Sequence, residues 1–299
     1  MARALAPTTA AGRLGSMLSG MRYGAGDPTT RLRPGWFARA TLTPQGPGTV
    51  VADWTSGALQ VAAYGPGGEW LAAQVPAMCG AHDPGHEFVN AHPVVMAAQR
   101  NHPDLRLGAS GSLYHELLPT ILGQRITAGE AVRQWHRLVW RLGEPAPGPV
   151  PNLRLPPAPE RLAEIPAWWL HPLGIEAKRA EALRTVGRHG ARLIALDHPD
   201  LAAAGALLRL VPGIGVWTVG SVLSVALGDP DAFALGDFHL KHQVVYALTG
   251  RPRGTDEEML ALLAPYAGQR GRVVRLLQAD GHRPPKFGPR QRVLPMSGW

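Results

Sequence analysis

The turn at residues 212–215, with the sequence Pro-Gly-Ile-Gly, lies between two apolar runs of helical spacing, residues 201–210 and 217–227. Glycine permits a tight backbone hairpin that most side chains would block. We therefore expect the amides of Gly213, Gly215 and Val216 to be unpaired at the start of the second helix, where the helix dipole favours an anion. Such a hairpin suits a DNA phosphate, because it holds the backbone without reading bases. For the turn alone, an ordinary glycine-rich connection between packed helices is an equal alternative.

Asp237 follows this pair of runs and precedes another. Residues 228–235 are rich in turn formers, and residues 238–248 have helical spacing, with Leu240 and Val244 on one stripe. Asp237 is therefore expected at or near the N-cap, where unpaired amides and the dipole favour an ionised carboxylate. From the residues alone, a simple capping role stays open.

Four sequence blocks resemble one family. In chain order they are residues 121–127 (ILGQRIT), 173–183 (LGI followed by KRAEAL), 212–218 (PGIGVWT) and 233–241 (FALGDFHLK). Together they resemble the helix-hairpin-helix DNA glycosylase superfamily, and within it the bacterial 3-methyladenine DNA glycosylase II, or alkylbase, branch. The resemblance covers roughly residues 34–295.

The resemblance implies that Asp237 is the catalytic residue. Cleavage of an N-glycosidic bond develops positive charge on the sugar, and a carboxylate beside the anomeric carbon stabilises that charge and can orient the attacking water. An alkylated base is already a cationic leaving group, so a separate general acid is less necessary.

Trp217 occupies the position at which bifunctional members of the superfamily carry a lysine nucleophile. Without that lysine, we expect the reaction to stop at the abasic site. Lys241, the lysine that the family has after its aspartate, is expected to contact DNA, with a local ion pair as the alternative.

The base pocket of the alkylbase branch is lined by aromatic side chains that attract a cationic base. Trp217 matches one of them, whereas Ser221 and Gln269 stand where the branch has tyrosine and tryptophan. We assign all three to the pocket and expect the two departures to change the range of substrates.

The junction at residues 123–127 is implied to push a side chain into the duplex, where it fills the space of the flipped base. Arg125 matches this wedge position and Gln124 is the alternative; a solvated arginine at a helix end is the simpler interpretation. The complete set of predicted DNA-binding residues is Gln124, Arg125, Gly213, Gly215, Val216, Thr218 and Lys241.

The expected fold class is α+β: a mostly α-helical helix-hairpin-helix glycosylase domain with a small N-terminal antiparallel β subdomain. Strands are predicted at residues 36–42, 49–54 and 59–64, before a helix at 70–78. Further helices are predicted at 94–101, 113–122, 129–142, 160–165 and 178–189, with a proline-rich extended connector at 143–159. The predicted units are a disordered tail (1–28), the N-terminal subdomain (29–90), the helical domain (91–281) and a basic C-terminal tail (282–299).

The composition fits a DNA partner. Lys and Arg number 30 against 22 Asp and Glu, a net charge of +8, which suits a polyanion or serves only solubility. Cys79 is the single cysteine, which excludes an intrachain disulfide and a four-cysteine iron–sulfur cluster. No metal site from side chains is predicted, since His82 and His86 fall in a polar loop. Through the resemblance, the backbone carbonyls near Arg209, Val211 and Ile214 are the place for a monovalent cation.

The N-terminal residues 1–26 are rich in Ala, Gly and Thr without a sustained apolar core, so we expect no signal peptide. Met17 and Met21 are alternative starts of translation. No apolar run is long enough to span a bilayer. We expect a cytoplasmic, nucleoid-associated monomer with no membrane partner.

The sequence therefore predicts a monofunctional DNA glycosylase of base excision repair that acts on double-stranded DNA containing a damaged, alkylated base. Two alternatives stay open: a glycosylase for deaminated or mismatched bases, and a non-catalytic helix-hairpin-helix DNA-binding protein. Asp237 at the family spacing and the aromatic Trp217 favour an enzyme. The sequence leaves the lesion undetermined.

Overall fold

An antiparallel sheet forms the N-terminal part of the computed structural model, which describes residues 3–4, 11–196 and 200–285. Its strands are β1 (Arg3–Ala4), β2 (Thr30–Arg33), β3 (Trp36–Thr43), β4 (Gly46–Asp53) and β5 (Gln60–Tyr64), in the spatial order β1-β5-β4-β3-β2. All four neighbouring pairs are antiparallel. The predicted α+β class is confirmed. Strands β1 and β2 were not predicted and add to the three predicted strands.

Side chains along β3 alternate between the two faces of the sheet. Each face is covered by another part of the chain. Helix α2 (Gly68–Met78) packs against β4 and β5, and its Trp70 shares a buried cluster with Phe37 of β3. On the opposite face, Ala38 packs against Leu153 and Leu155 of the proline-rich connector. The connector therefore folds back over the sheet.

Residues 11–28 are ordered, so the prediction of a disordered tail over residues 1–28 is wrong for this part. Helix α1 spans Ala11–Ser19, and its Leu14 and Leu18 are buried in the cluster that α2 also joins. The Ala- and Gly-rich composition gave no signal for it, because burial of the two leucines holds this short helix, not its intrinsic propensity.

The rest of the chain is predominantly helical. After α2 the helices are α3 (Pro93–Asn101), α4 (Leu113–Leu122), α5 (Ala128–Leu142), α6 (Pro159–Glu164), α7 (Ala177–Ala195), α8 (Leu201–Arg209), α9 (Val216–Ala226), α10 (Leu240–Thr249), α11 (Asp256–Leu263) and α12 (Arg270–Ala279), with short 3-10 turns at Ala167–Leu173 and Ala264–Tyr266. The helices predicted from periodicity are present; α11 and α12 were not predicted. Within the described ranges, no helix is long and apolar enough to cross a membrane.

Two buried clusters organise these helices around the segment that carries Asp237. In the larger cluster, α4 packs against α5, α7 and α9. The second cluster joins α3, α10, α11 and α12. The segment between α9 and α10 touches both, since Ala232 packs on the first cluster and Phe233 on the second. This crossing point positions the candidate site.

A buried polar network joins the sheet to α4. Arg39 of β3 pairs with Glu116 of α4, and both side chains are buried. The neighbouring His115 is fully buried, with its Nε2 3.1 Å from Thr29 Oγ1 and its Nδ1 2.9 Å from Thr41 Oγ1. Burial, and then the charge of Arg39, hold the pKa of His115 well below its usual range.

We predict a loss of stability below neutral pH that depends on His115. Its pKa is lowered in the folded state, so the unfolded chain takes up a proton first. The free energy that the neutral His115 side chain contributes to folding is fully present above pH 6.5, the ordinary pKa of histidine. It is lost as the pH falls below that value. The loss is up to about 1.4 kcal/mol per pH unit. Thermal unfolding between pH 7.5 and 5.5 should show a steeper fall in Tm for the wild type than for His115→Gln. The neighbouring Glu116 has a raised pKa, mainly through burial, which acts in the opposite direction in both proteins. Equal slopes would contradict the assignment.

Candidate active site

The hairpin between α8 and α9 has the predicted geometry. Gly213 has φ of +87°, a left-handed conformation that favours glycine, whereas Gly215 is extended, with φ of −97° and ψ of −175°. A Cβ built on Gly215 would meet nothing within 4 Å. Neither backbone conformation nor the neighbouring described atoms require glycine at 215. Glycine is a favoured N-cap residue, and here it also leaves space for the close approach of an external group.

The amides of this hairpin point to an anion. The Ile214 amide donates to the Val211 carbonyl at 3.1 Å, but the amides of Gly213, Gly215 and Val216 donate to no acceptor in the described part of the chain. The three residues are exposed at the start of α9. Unpaired amides at a helix N-terminus, with the positive end of the dipole, form an anion site.

The loop between α4 and α5 is held from two sides. The side-chain amide of Gln124 donates to the Gly213 carbonyl at 3.1 Å and to Thr218 Oγ1 at 3.0 Å, which ties the loop to the hairpin. The buried Arg179 of α7 donates to the Leu122 carbonyl at the end of α4, at 2.8 Å. The side-chain amide of Gln124 and the hydroxyl of Thr218 are thus hydrogen-bonded within the protein.

Arg125, next to Gln124, is exposed and has φ of +58°. A left-handed conformation costs free energy for a non-glycine residue and is kept only where the surrounding structure fixes it. Of the two predicted wedge residues, Arg125 has no hydrogen-bond or ion-pair partner among the described residues, whereas the Gln124 side chain is hydrogen-bonded to the hairpin.

Asp237 lies two residues before the N-cap of α10, because the helix begins at Leu240 and not at 238 as predicted. Its Oδ1 accepts from the amides of His239 at 2.8 Å and Leu240 at 2.9 Å, so the carboxylate caps the helix from outside. Its Oδ2 accepts no hydrogen bond from any described residue, and the side chain is half-buried. One oxygen is fixed and the other is available to a substrate.

The segment before Asp237 is clamped between two helices. A Cβ on Gly220 of α9 would overlap the carbonyl of Phe233, and one on Gly271 of α12 would overlap the carbonyl of Ala232. In addition, the guanidinium Nε of Arg270 donates to Asp231 Oδ1 at 2.8 Å. The backbone that carries Asp237 therefore lies directly against α9, on the face that also bears Trp217, since residues three apart share a face.

Trp217 and Tyr23 form one wall beside this face. A Cβ on Gly123 would lie 3.4 Å from the Trp217 ring and 3.0 Å from the Tyr23 hydroxyl, so both side chains converge on the same point. Burial raises the pKa of Tyr23 to about 12, although the charge of Arg179 acts to lower it. The raised pKa keeps the hydroxyl protonated. The hydroxyl has no hydrogen-bond partner among the described residues. Sequence reasoning missed Tyr23, because it lies in the segment predicted as a disordered tail.

Comparisons with known proteins identify the fold. None of the known family models matches the chain. The Bacillus subtilis protein YfjP, provisionally named a DNA-3-methyladenine glycosylase, is 29% identical over 137 residues, which are 44% of this chain and 46% of YfjP. The match thus spans less than half the length of that relative. A 3-methyladenine DNA-glycosylase from Archaeoglobus fulgidus superposes with a TM-score of 0.70 at 18% identity, covering 93% of this chain and 96% of the other.

A second structure, the 8-oxoguanine glycosylase/lyase of Clostridium acetobutylicum bound to double-stranded DNA, has a TM-score of 0.56 at 11% identity, covering 81% of this chain and 83% of the other. The chain has a DNA glycosylase fold. The predicted glycosylase fold is confirmed by these structures, one of which is named a glycosylase/lyase. The local similarity to YfjP agrees with the alkylbase resemblance of the sequence blocks.

Three predicted site residues of this glycosylase fold have local partners. The Lys241 ammonium lies 3.0 Å from Asp256 Oδ2, which is the local ion pair that the sequence left as the alternative to a DNA contact. Ser221 Oγ donates to the Trp217 carbonyl at 2.7 Å, within α9. Gln269 Oε1 accepts from Arg272 Nε at 2.7 Å, and no described contact joins Gln269 to Trp217 or Asp237.

Within the described ranges, no group of three or more His, Cys, Asp or Glu residues is arranged for a metal ion. His82 and His86 lie in a loop, as predicted. Of the basic C-terminal tail, residues 286–299 lie outside the described residues.

Proposed function

We propose that this chain is a monofunctional DNA glycosylase of base excision repair, which hydrolyses the N-glycosidic bond of a flipped, alkylated base and leaves an abasic site. The observation that carries the proposal is the Asp237 carboxylate, with one oxygen fixed by two backbone amides and the other free, on a segment clamped against the hairpin helix α9. The names of YfjP and of the Archaeoglobus protein support the substrate class.

The free oxygen of Asp237 stabilises the positive charge that develops on the sugar. As the bond to the base breaks, the sugar becomes positive, and an ionised carboxylate beside it lowers the energy of that transition state. Its second oxygen is held in place by the α10 amides, so the group does not have to reorganise during the reaction.

The base lies against Trp217 in this proposal. An indole face attracts a cationic ring, and the protonated Tyr23 hydroxyl beside it can donate to an acceptor atom of the base. Ser221 and Gln269 offer no aromatic face, so excision of deaminated or mismatched bases stays as the second candidate activity.

The protein contacts the duplex at a phosphate and at the space that the flipped base leaves. The amides of Gly213, Gly215 and Val216 hold a phosphate, and Arg125 enters the duplex. Thr218 and Gln124 keep the hairpin in shape for this contact. The monovalent cation at the hairpin carbonyls, the monomeric state and the nucleoid location remain predictions.

A panel of duplexes with single lesions tests the proposal. Purified protein is incubated with duplexes that carry an alkylated purine, hypoxanthine, or uracil opposite guanine, and abasic sites are then cleaved by alkali. We expect strand cleavage for the alkylated purine. Cleavage of only the deaminated substrates would move the assignment to the second candidate activity, and tight binding without cleavage of any duplex would identify a non-catalytic DNA-binding protein.

Gly215→Ala should weaken DNA binding about tenfold while the free energy of unfolding changes by less than about 0.5 kcal/mol. The added methyl meets nothing in the chain but stands where a phosphate approaches the amides. Fluorescence anisotropy with a labelled duplex measures the affinity, and urea unfolding measures the stability. Gly26→Ala is the matched control, since its Cβ also meets nothing within 4 Å. Equal affinities for the two variants would show that DNA does not approach Gly215.

Borohydride should not trap the protein on DNA. Trapping needs a Schiff base between an amine and the opened sugar, and Trp217 cannot form one. Lys241 is held 3.0 Å from Asp256. We expect intact abasic strands and no covalent band on a denaturing gel. A crosslink that disappears in Lys241→Arg would show lyase chemistry and contradict the monofunctional assignment.

A further inference from the structure

A cavity of about 730 Å³ lies apart from the candidate active site, between the C-terminal half of α1, the loop after α3, the end of α9 and α12. Ser224 and Val225 of the last turns of α9 line it, whereas the hairpin amides lie at the first turn. Eight residues of helix separate Val216 from Ser224, about 12 Å. The cavity is therefore separate from the proposed phosphate contact at the N-terminus of α9.

The charge of this cavity is positive. Arg100, Arg106 and Arg275 line it, and Asp104 is the acidic residue among the lining side chains. Two nearby acids are engaged elsewhere. Asp83 pairs with Arg272 at 2.6 Å, and Asp280 accepts from Asn101 at 2.8 Å and lies 3.1 Å from His282.

Arg275 of α12 is half-buried and lines the cavity. No carboxylate or carbonyl of the described residues contacts its guanidinium, and desolvation lowers its pKa. A half-buried guanidinium without an acceptor among the described residues is available to a bound anion. Arg106, in contrast, already donates to the Leu105 carbonyl at 3.0 Å.

We propose that this cavity binds a small phosphate monoester with an apolar body, such as a nucleoside monophosphate. Three arginines and one aspartate leave two positive charges, which match a phosphate monoester of about −1.5 to −2 at pH 7. Met17, Met21 and Val225 supply apolar surface for the rest of the molecule. The volume lies in the range of small-molecule sites, roughly 300–1,000 Å³.

Isothermal titration of the full chain with AMP, inorganic phosphate and adenosine tests this site. We expect AMP to bind, phosphate to bind more weakly and adenosine not to bind. If phosphate bound as tightly as AMP, the site would be assigned to the free anion. The proposal that the ligand has an apolar body would then be wrong. Arg275→Gln should weaken AMP binding at least tenfold, whereas Arg253→Gln, which removes the same charge from an exposed residue outside the cavity, should not.

Two further measurements keep the proposal falsifiable. Arg100→Gln, at an exposed rim residue, should also weaken AMP binding, and serves if Arg275→Gln does not fold. An undamaged duplex should not displace AMP, and AMP should leave base excision unchanged. Displacement by the duplex, or no binding of AMP and phosphate at concentrations of about 10 mM, would overturn the proposal without bearing on the glycosylase assignment.

Discussion

Asp237→Asn is expected to lower the single-turnover rate of base release at least about 100-fold, while affinity for the same duplex stays within a few fold. The neutral amide still has an oxygen that can accept from the His239 and Leu240 amides, so the start of α10 is kept. What is lost is the negative charge beside the sugar, which acts only as positive charge develops in the transition state. Quenched-flow excision assays and anisotropy measure the two quantities.

Asp200→Asn is the matched control for this experiment. Asp200 also caps a helix, since its Oδ1 accepts from the Ala203 amide at 2.7 Å at the start of α8, but it is not part of the site. Both variants lose one capping carboxylate and should lose similar stability, about 1 kcal/mol or less. Only the substitution at 237 should change the rate. If Asp237→Asn kept more than a tenth of the wild-type rate, the carboxylate would be only a cap.

Gly220→Ala is expected to lower both the free energy of unfolding, by about 1–3 kcal/mol or more, and the rate of base release. The new methyl would overlap the Phe233 carbonyl, which is backbone and cannot rotate away. The segment that carries Asp237 must then move from α9. Urea unfolding gives the stability, and the excision rate is measured at a temperature at which the variant is fully folded.

The control is Gly205→Ala, the same change inside a neighbouring helix. There the closest atom to an added Cβ is Nη1 of Arg209 at 3.4 Å, the end of a flexible side chain. This variant should be neutral or up to about 1 kcal/mol more stable, because alanine restricts the unfolded chain and favours helix. Equal stabilities for the two variants would show that the Phe233 segment is not pressed against α9.

The sequence was sufficient where a signal is local. Periodicity placed α4, α8 and α9, alternation placed β3, and the Pro-Gly-Ile-Gly turn predicted the hairpin with its unpaired amides. Helix α11 also had a local signal that was not used: Thr255 and Glu258 form a capping box, a pattern readable three residues apart.

The tertiary structure decided the features that depend on distant partners. Helix α1 forms because Leu14 and Leu18 are buried in a core, and the packing of this segment brings Tyr23 beside Gly123, which Trp217 also approaches. Alignment with a family assigned Gln269 to the pocket, and only the structure shows that its Oε1 accepts a hydrogen bond from Arg272. By itself the sequence determined the hairpin, the aspartate and the helical class, since these follow from backbone geometry and local spacing. Which side chains surround that aspartate was decided by packing between segments far apart in the chain, a property that no local pattern encodes.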